Sequence, residues 1–177
     1  ATLHRVHGVP CGFCGPTKNK QSDSFLARVK RLKSAFLFVL DEFSMVGRLM
    51  AGKLLYRSTE VFGNASGCFF PERDFLLSGD PKQAQPVLDE PLYKEGAYTG
   101  KGLNKPSKGE APPDTPTAAA LAAEAMLFLQ EFEDAVLLRE VHRVDYGESL
   151  VGPERERYAS EARHFLGAAG RMADCTW

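Results

Sequence analysis

Phe36-Leu37-Phe38-Val39-Leu40-Asp41-Glu42-Phe43-Ser44-Met45-Val46 opens with five apolar residues in an unbroken run that ends in two adjacent carboxylates. Such a run fits a strand buried on both faces, as in a parallel sheet between helix layers. A charge cannot sit inside such a strand, so Asp41 and Glu42 belong at its carboxyl end. Open α/β sheets bind ligands at that end. Phe75-Leu76-Leu77-Ser78 repeats the arrangement and runs straight into Gly79-Asp80-Pro81-Lys82-Gln83. The two strand ends are expected to face one nucleotide.

The 177 residues suffice for one domain with a substantial core. Hydrophobic residues make up 44% and charged residues 25%, the balance of a globular chain. No apolar run approaches the roughly 20 residues that span a membrane, and the start, Ala1-Thr2-Leu3-His4-Arg5, carries no secretory pattern. It does not open on Met, so it reads as part of something longer. Net charge is −1, but Lys18, Lys20, Arg28, Lys30, Arg31 and Lys33 gather with Asp23 as the single acid among them. That patch is either a phosphate-contacting surface or a solvated helix face. Four cysteines show no disulfide framework, which favours an intracellular site.

Residues 1–21 read as loop after a short start, because Gly8, Pro10, Gly12, Gly15 and Pro16 break regular structure. From Ser22 the pattern is helical, with Ser22, Asp23 or Ser24 as cap and Phe25, Leu26, Val29 and Leu32 on one face. Ser44 is the expected cap of the next helix, reaching Tyr56 or Thr59. Residues 89–117 are crowded with proline and glycine and read as a long, mobile surface insertion. Thr117 caps an Ala-rich helix through about Glu131. Ala135-Val136-Leu137-Leu138 reads as a third strand, and a last helix runs from about Pro153 to Leu166. Phe25, Phe36, Phe38, Phe75, Phe128 and Phe132 are expected to pack in the core, whereas Phe69 and Phe70 fall in a loop. The resulting division is a lobe over 1–91, an insertion over 92–117, and the end of the lobe over 118–177.

Phosphoryl transfer needs a metal, a group that positions or deprotonates water, and a cation for the transition state. Asp41 is placed to hold Mg²⁺ and Glu42 to orient water. Gln83 is placed to sense a terminal phosphate. The plainer alternatives are a helix cap for Asp41 and an ordinary loop amide for Gln83.

Leu40-Asp41-Glu42-Phe43-Ser44-Met45-Val46 resembles the Walker B segment of superfamily 1 helicases of the Pif/RecD branch. Gly79-Asp80-Pro81-Lys82-Gln83, with Pro86-Val87, resembles that family's next motif. Thr2-Leu3-His4 resembles its Thr-apolar-His segment, and Leu138-Arg139-Glu140-Val141-His142-Arg143 the segment with a nucleotide-reaching arginine. All four stand in the family's order. The resemblance implies a three-layer RecA-like P-loop NTPase lobe, α/β with a parallel sheet and incomplete at its N-terminus. It implies ATP and Mg²⁺ as cofactors and single-stranded DNA as partner, translocated five-prime to three-prime with the help of further helicase lobes. By role, Asp41 would serve the magnesium, Glu42 the water, and Asp80 and Gln83 the nucleotide. Arg143 would be an arginine finger, a role worth on the order of 10³ to 10⁵ in rate. Thr2 and His4 would lie near the DNA. The expected location is nucleus or mitochondrion in a eukaryote, cytoplasm otherwise.

The departures are specific. No Gly-Lys-Ser/Thr phosphate loop occurs in the 177 residues. Gly96-Ala97-Tyr98-Thr99-Gly100-Lys101-Gly102 has one residue too few between its glycines and no hydroxyl after Lys101. The family's Leu-Pro-Pro-Val is Ala84-Gln85-Pro86-Val87 here, and Val144 replaces the usual Gln after the finger arginine. Without the loop's lysine and backbone cradle, the chain alone is expected to bind nucleotide poorly. Two other readings follow. One is a non-catalytic nucleic-acid-binding or scaffolding module. The other is a small zinc module formed by His4, His7, Cys11 and Cys14, whose side chains are all of zinc-ligand type but whose two pairs lie very close.

Overall fold

In the computed structural model, Ser22 starts the first long helix as its sequence predicts. Its hydroxyl accepts the Phe25 amide at 3.3 Å, and helix α2 runs Asp23–Ser34 after a short α1 at Leu3–His7. Phe25 and Leu32, seven residues apart on one face, are buried. The structure describes residues 3–63, 68–102, 104–106 and 108–136, and the side chains from Arg5 onward. Residues 1–134 form one compact unit and residues 135–177 another; only Ala135 and Val136 of the latter are described.

Ala35 turns extended and feeds strand β1, Leu37–Leu40. Helix α3, Arg48–Phe62, crosses over to strand β2, Asp74–Leu77. The strands are parallel, with Leu37 beside Asp74 and Leu40 beside Leu77. A parallel pair requires such a crossover. Helix α4, Ala118–Leu129, follows, its amino end capped by the Thr117 hydroxyl on the Ala120 amide at 3.1 Å. The described residues are thus α/β, four α-helices with a two-stranded parallel sheet.

Phe38, Leu32, Leu54, Leu55, Ala125 and Phe128 share the core. Small residues bring α4 onto α3. A β-carbon on Gly52 would stand 1.9 Å from the Leu121 carbonyl oxygen, so only glycine permits this crossing. Phe69 and Phe70, which read as loop residues, are buried; Phe70 packs its ring at 5.0 Å from Phe38 and 4.8 Å from Phe75.

Four expectations need correction. β1 is not buried on both faces: Phe38 and Leu40 are buried, but Leu37 is 44% and Val39 57% exposed. None of the described residues supplies a second covering layer. Phe36 is 78% exposed, because it precedes the strand and lies outside the core cluster. Ser44 does not cap α3. It sits in a 3₁₀ turn, Phe43–Met45, and the cap is Asp89, whose carboxylate accepts the Leu49 and Met50 amides at 3.3 and 3.2 Å. A carboxylate at these orphan donors also complements the helix dipole. Finally, the proline-rich insertion is pinned. Buried Asn104 exchanges hydrogen bonds with the Cys14 backbone at 2.6 and 2.9 Å and donates to the Pro116 carbonyl at 2.7 Å. Ala135 and Val136 show no strand; Leu137, Leu138 and the helix expected at Pro153–Leu166 lie outside the described residues. Among the described residues no helix is long and apolar enough to cross a membrane.

Candidate functional site at the strand ends

The ladder between β1 and β2 continues past both strands. The Ser78 amide donates to the Leu40 carbonyl at 2.9 Å, and the Phe43 amide donates to the Ser78 carbonyl at 3.0 Å. Gly79, at φ +154, lies directly on Glu42 and Phe43. The Asp41-Glu42 pair and the Gly79–Gln83 loop therefore meet at one edge, the carboxyl edge of a parallel sheet.

Each half of this edge is shaped locally. The Glu42 amide donates to Asp41 Oδ1 at 3.0 Å. Glu42 has left-handed backbone angles, φ 53 and ψ 45, which side-chain-bearing residues adopt at a cost and mostly where surrounding structure enforces them. On the other side the Lys82 amide donates to Asp80 Oδ1 at 2.9 Å and the Gln83 amide to the Asp80 carbonyl at 3.0 Å. Asp80 thus folds its own loop. Tyr93 joins the halves: its hydroxyl donates to the Pro81 carbonyl at 2.7 Å, and its ring meets Phe43 edge-on at 6.2 Å. Nothing local in the sequence marks Tyr93, since both contacts are long-range.

Two polar atoms here are buried with no hydrogen-bond partner among the described residues, Glu42 Oε2 and Ser44 Oγ. Buried oxygens of that kind ordinarily have a partner. The exposed Asp41 carboxylate, adjacent in sequence to Glu42, is a hard oxygen donor of the kind Mg²⁺ takes. No three His, Cys, Asp or Glu side chains among the described residues cluster to hold a metal by themselves. Asp41, Glu42, Asp80 and Gln83 are thus brought to one edge, with Asp80 and Gln83 exposed. Thr2 and Arg143 lie outside the described residues, as does the His4 side chain.

The zinc set finds its described members otherwise engaged. His7 is buried, with Nδ1 3.3 Å from the Ser58 hydroxyl. Burial, and then the guanidiniums of Arg31 and Arg28, lower its pKa to about 4. Cys14 is fully buried, its backbone is clamped by Asn104, and burial pushes its thiol up. Cys11 is exposed. No metal cluster forms among the described residues of this segment.

No family model and no curated protein matches the chain. Among solved structures, the crystal structure of Bacteroides Pif1 bound to single-stranded DNA is similar at 28% identity and a TM-score of 0.40, over 49% of this chain. The chain covers 20% of that protein, and a superposition this loose carries no argument about fold or function.

Proposed function

We propose that the chain is part of the motor of an ATP-dependent DNA helicase of the Pif/RecD branch, within a three-layer RecA-like lobe. The observation that carries this reading is the meeting of Asp41-Glu42 with Gly79–Gln83 through the Phe43–Ser78 hydrogen bond. Those are the two stretches whose resemblance to helicase motifs is most specific. In this reading Asp41 would hold Mg²⁺ against the nucleotide phosphates. The ion would neutralise charge as it develops. Glu42 orients the attacking water and accepts its proton. Gln83, on a loop tied to Glu42 through Gly79 and Tyr93, reports the terminal phosphate to the DNA-contacting segment at Thr2 and His4. Arg143 supplies the transition-state cation.

The test is ATP hydrolysis by the full-length product of the gene, with and without single-stranded DNA. Stimulation by DNA supports the motor. DNA binding with no hydrolysis supports a second reading, a non-catalytic binding module.

A further inference from the structure

A cavity of ≈340 Å³ opens between α1 and the amino end of α2. Its wall includes Arg5, Arg28, Arg31, Thr17, Ser22 and Ser24, and no acidic residue lines it. We propose that this cavity is a phosphate-binding site. It shares no residue with the strand-end edge and does not rest on the motor reading.

The charge in the cavity is only partly compensated. Arg28 lies 3.5 Å from Glu60, but that carboxylate is also held by Arg57 at 2.8 Å. Burial raises the Glu60 pKa, yet hydrogen bonds from Arg57 and Thr17 outweigh it and keep the carboxyl ionised. Two guanidiniums thus share one carboxylate. Arg31 donates to the Arg5 carbonyl at 2.9 Å and to the Val6 carbonyl, which binds the end of α1 without cancelling charge. The Arg5 side chain has no partner among the described residues. Gly8, at φ +67, makes room for this arrangement: a β-carbon there would stand 2.2 Å from Arg28 Nη1.

These features select the ligand class. The hydroxyls of Thr17 and Ser22 already donate, to Glu60 at 2.8 Å and to the Asn19 carbonyl at 3.0 Å. Arg28 also donates already, to the His7 carbonyl at 3.3 Å and the Thr17 hydroxyl at 3.4 Å, so recognition falls to the guanidinium forks of Arg5 and Arg31, which match the paired oxygens of phosphate. The amino end of α2, a 12-residue helix, is positive, though Asp23 in its first turn offsets part of that field. The volume lies in the range of small-ligand pockets. The phosphate is supplied either by a nucleic-acid backbone or as a free anion.

The experiment titrates inorganic phosphate into the 177-residue chain by calorimetry. Arg5→Gln should weaken binding about tenfold, the scale of one charge-assisted hydrogen bond, with an unchanged melting temperature. Arg5→Lys, which keeps the charge but loses the fork, should bind between the parent and Arg5→Gln. Lys30→Gln, on the same helix but outside the cavity, should change nothing. Displacement of phosphate by a thymidine oligonucleotide would identify a backbone phosphate as the source, and simultaneous binding a free one. Absence of saturable binding, equal affinity in Arg5→Gln, or an equal loss in Lys30→Gln would overturn the proposal.

Discussion

Gly79 rests on Phe43 so closely that a β-carbon on it would stand 2.9 Å from the Phe43 amide nitrogen and 3.2 Å from the Glu42 α-carbon. The obstacle is backbone, and the Gly79 φ of +154 strains any other residue. Gly79→Ala should therefore force the two strand ends apart and destabilise the protein by about 1–3 kcal/mol. Urea unfolding monitored by circular dichroism measures this, and an unchanged midpoint would show that the contact is slack.

Gly52 makes the corresponding prediction for the core. Ala at this position meets the Leu121 carbonyl oxygen of α4, and two packed helices must separate. The expected loss is about 3 kcal/mol or more, at the upper end for overpacking. Gly12, whose β-carbon would meet nothing within 4 Å, is the control. Gly12→Ala should stay within about 0.5 kcal/mol of the parent. Thermal melts of the two variants read out the contrast.

His7 gives the fold a pH dependence of definite sign. Its pKa is lowered to about 4 from an ordinary value of 6.5. Between those values the unfolded chain binds a proton that the folded chain does not. The stabilising contribution is complete above pH 6.5 and is lost as pH falls towards 4, up to about 3 kcal/mol. Unfolding midpoints at pH 7 and pH 4.5 bracket most of the change. The pKa of Glu90, pulled down to about 2 by hydrogen bonds from Lys94 and Thr99, adds its own loss only at lower pH. His7→Gln should flatten the upper part of the profile, and an unaltered slope in that variant would assign it to other groups.

Tyr93→Phe removes the hydrogen bond to Pro81 while keeping the ring on Phe43. Stability should fall by about 0.5–1.5 kcal/mol. The local effect should be sharper: amide hydrogen exchange at Lys82 and Gln83 should accelerate relative to α3. Uniform protection in the variant would mean that Asp80 holds the loop unaided.

How much of this was legible in the sequence depended on the range of the interaction. Ser22 and Thr117 cap helices through residues three positions away, so α2 and α4 could be read directly. The order of apolar run, carboxylates and glycine-led loop marks the strand ends, because the apolar alternation stops where Asp41 and Gly79 begin. The start of α3 was misplaced because its cap, Asp89, lies 40 residues further along the chain. Local composition makes the insertion read as mobile, since its anchor, Asn104 on the Cys14 backbone, spans 90 residues of sequence. Phe69 and Phe70 show no helical or strand periodicity, and long-range ring contacts accompany their burial: Phe70 with Phe38 and Phe75, Phe69 with Phe128. Tyr93, which bridges the two halves of the candidate site, had no local signal at all.

The central claim is that Glu42 and Gln83 serve one nucleotide. The most direct measurement compares ATP binding and ATP turnover in the full-length gene product carrying Glu42→Gln. Binding should persist while turnover falls by on the order of 10² to 10⁴, the contribution of a positioned general base. Turnover at the parent rate in Glu42→Gln would contradict the account.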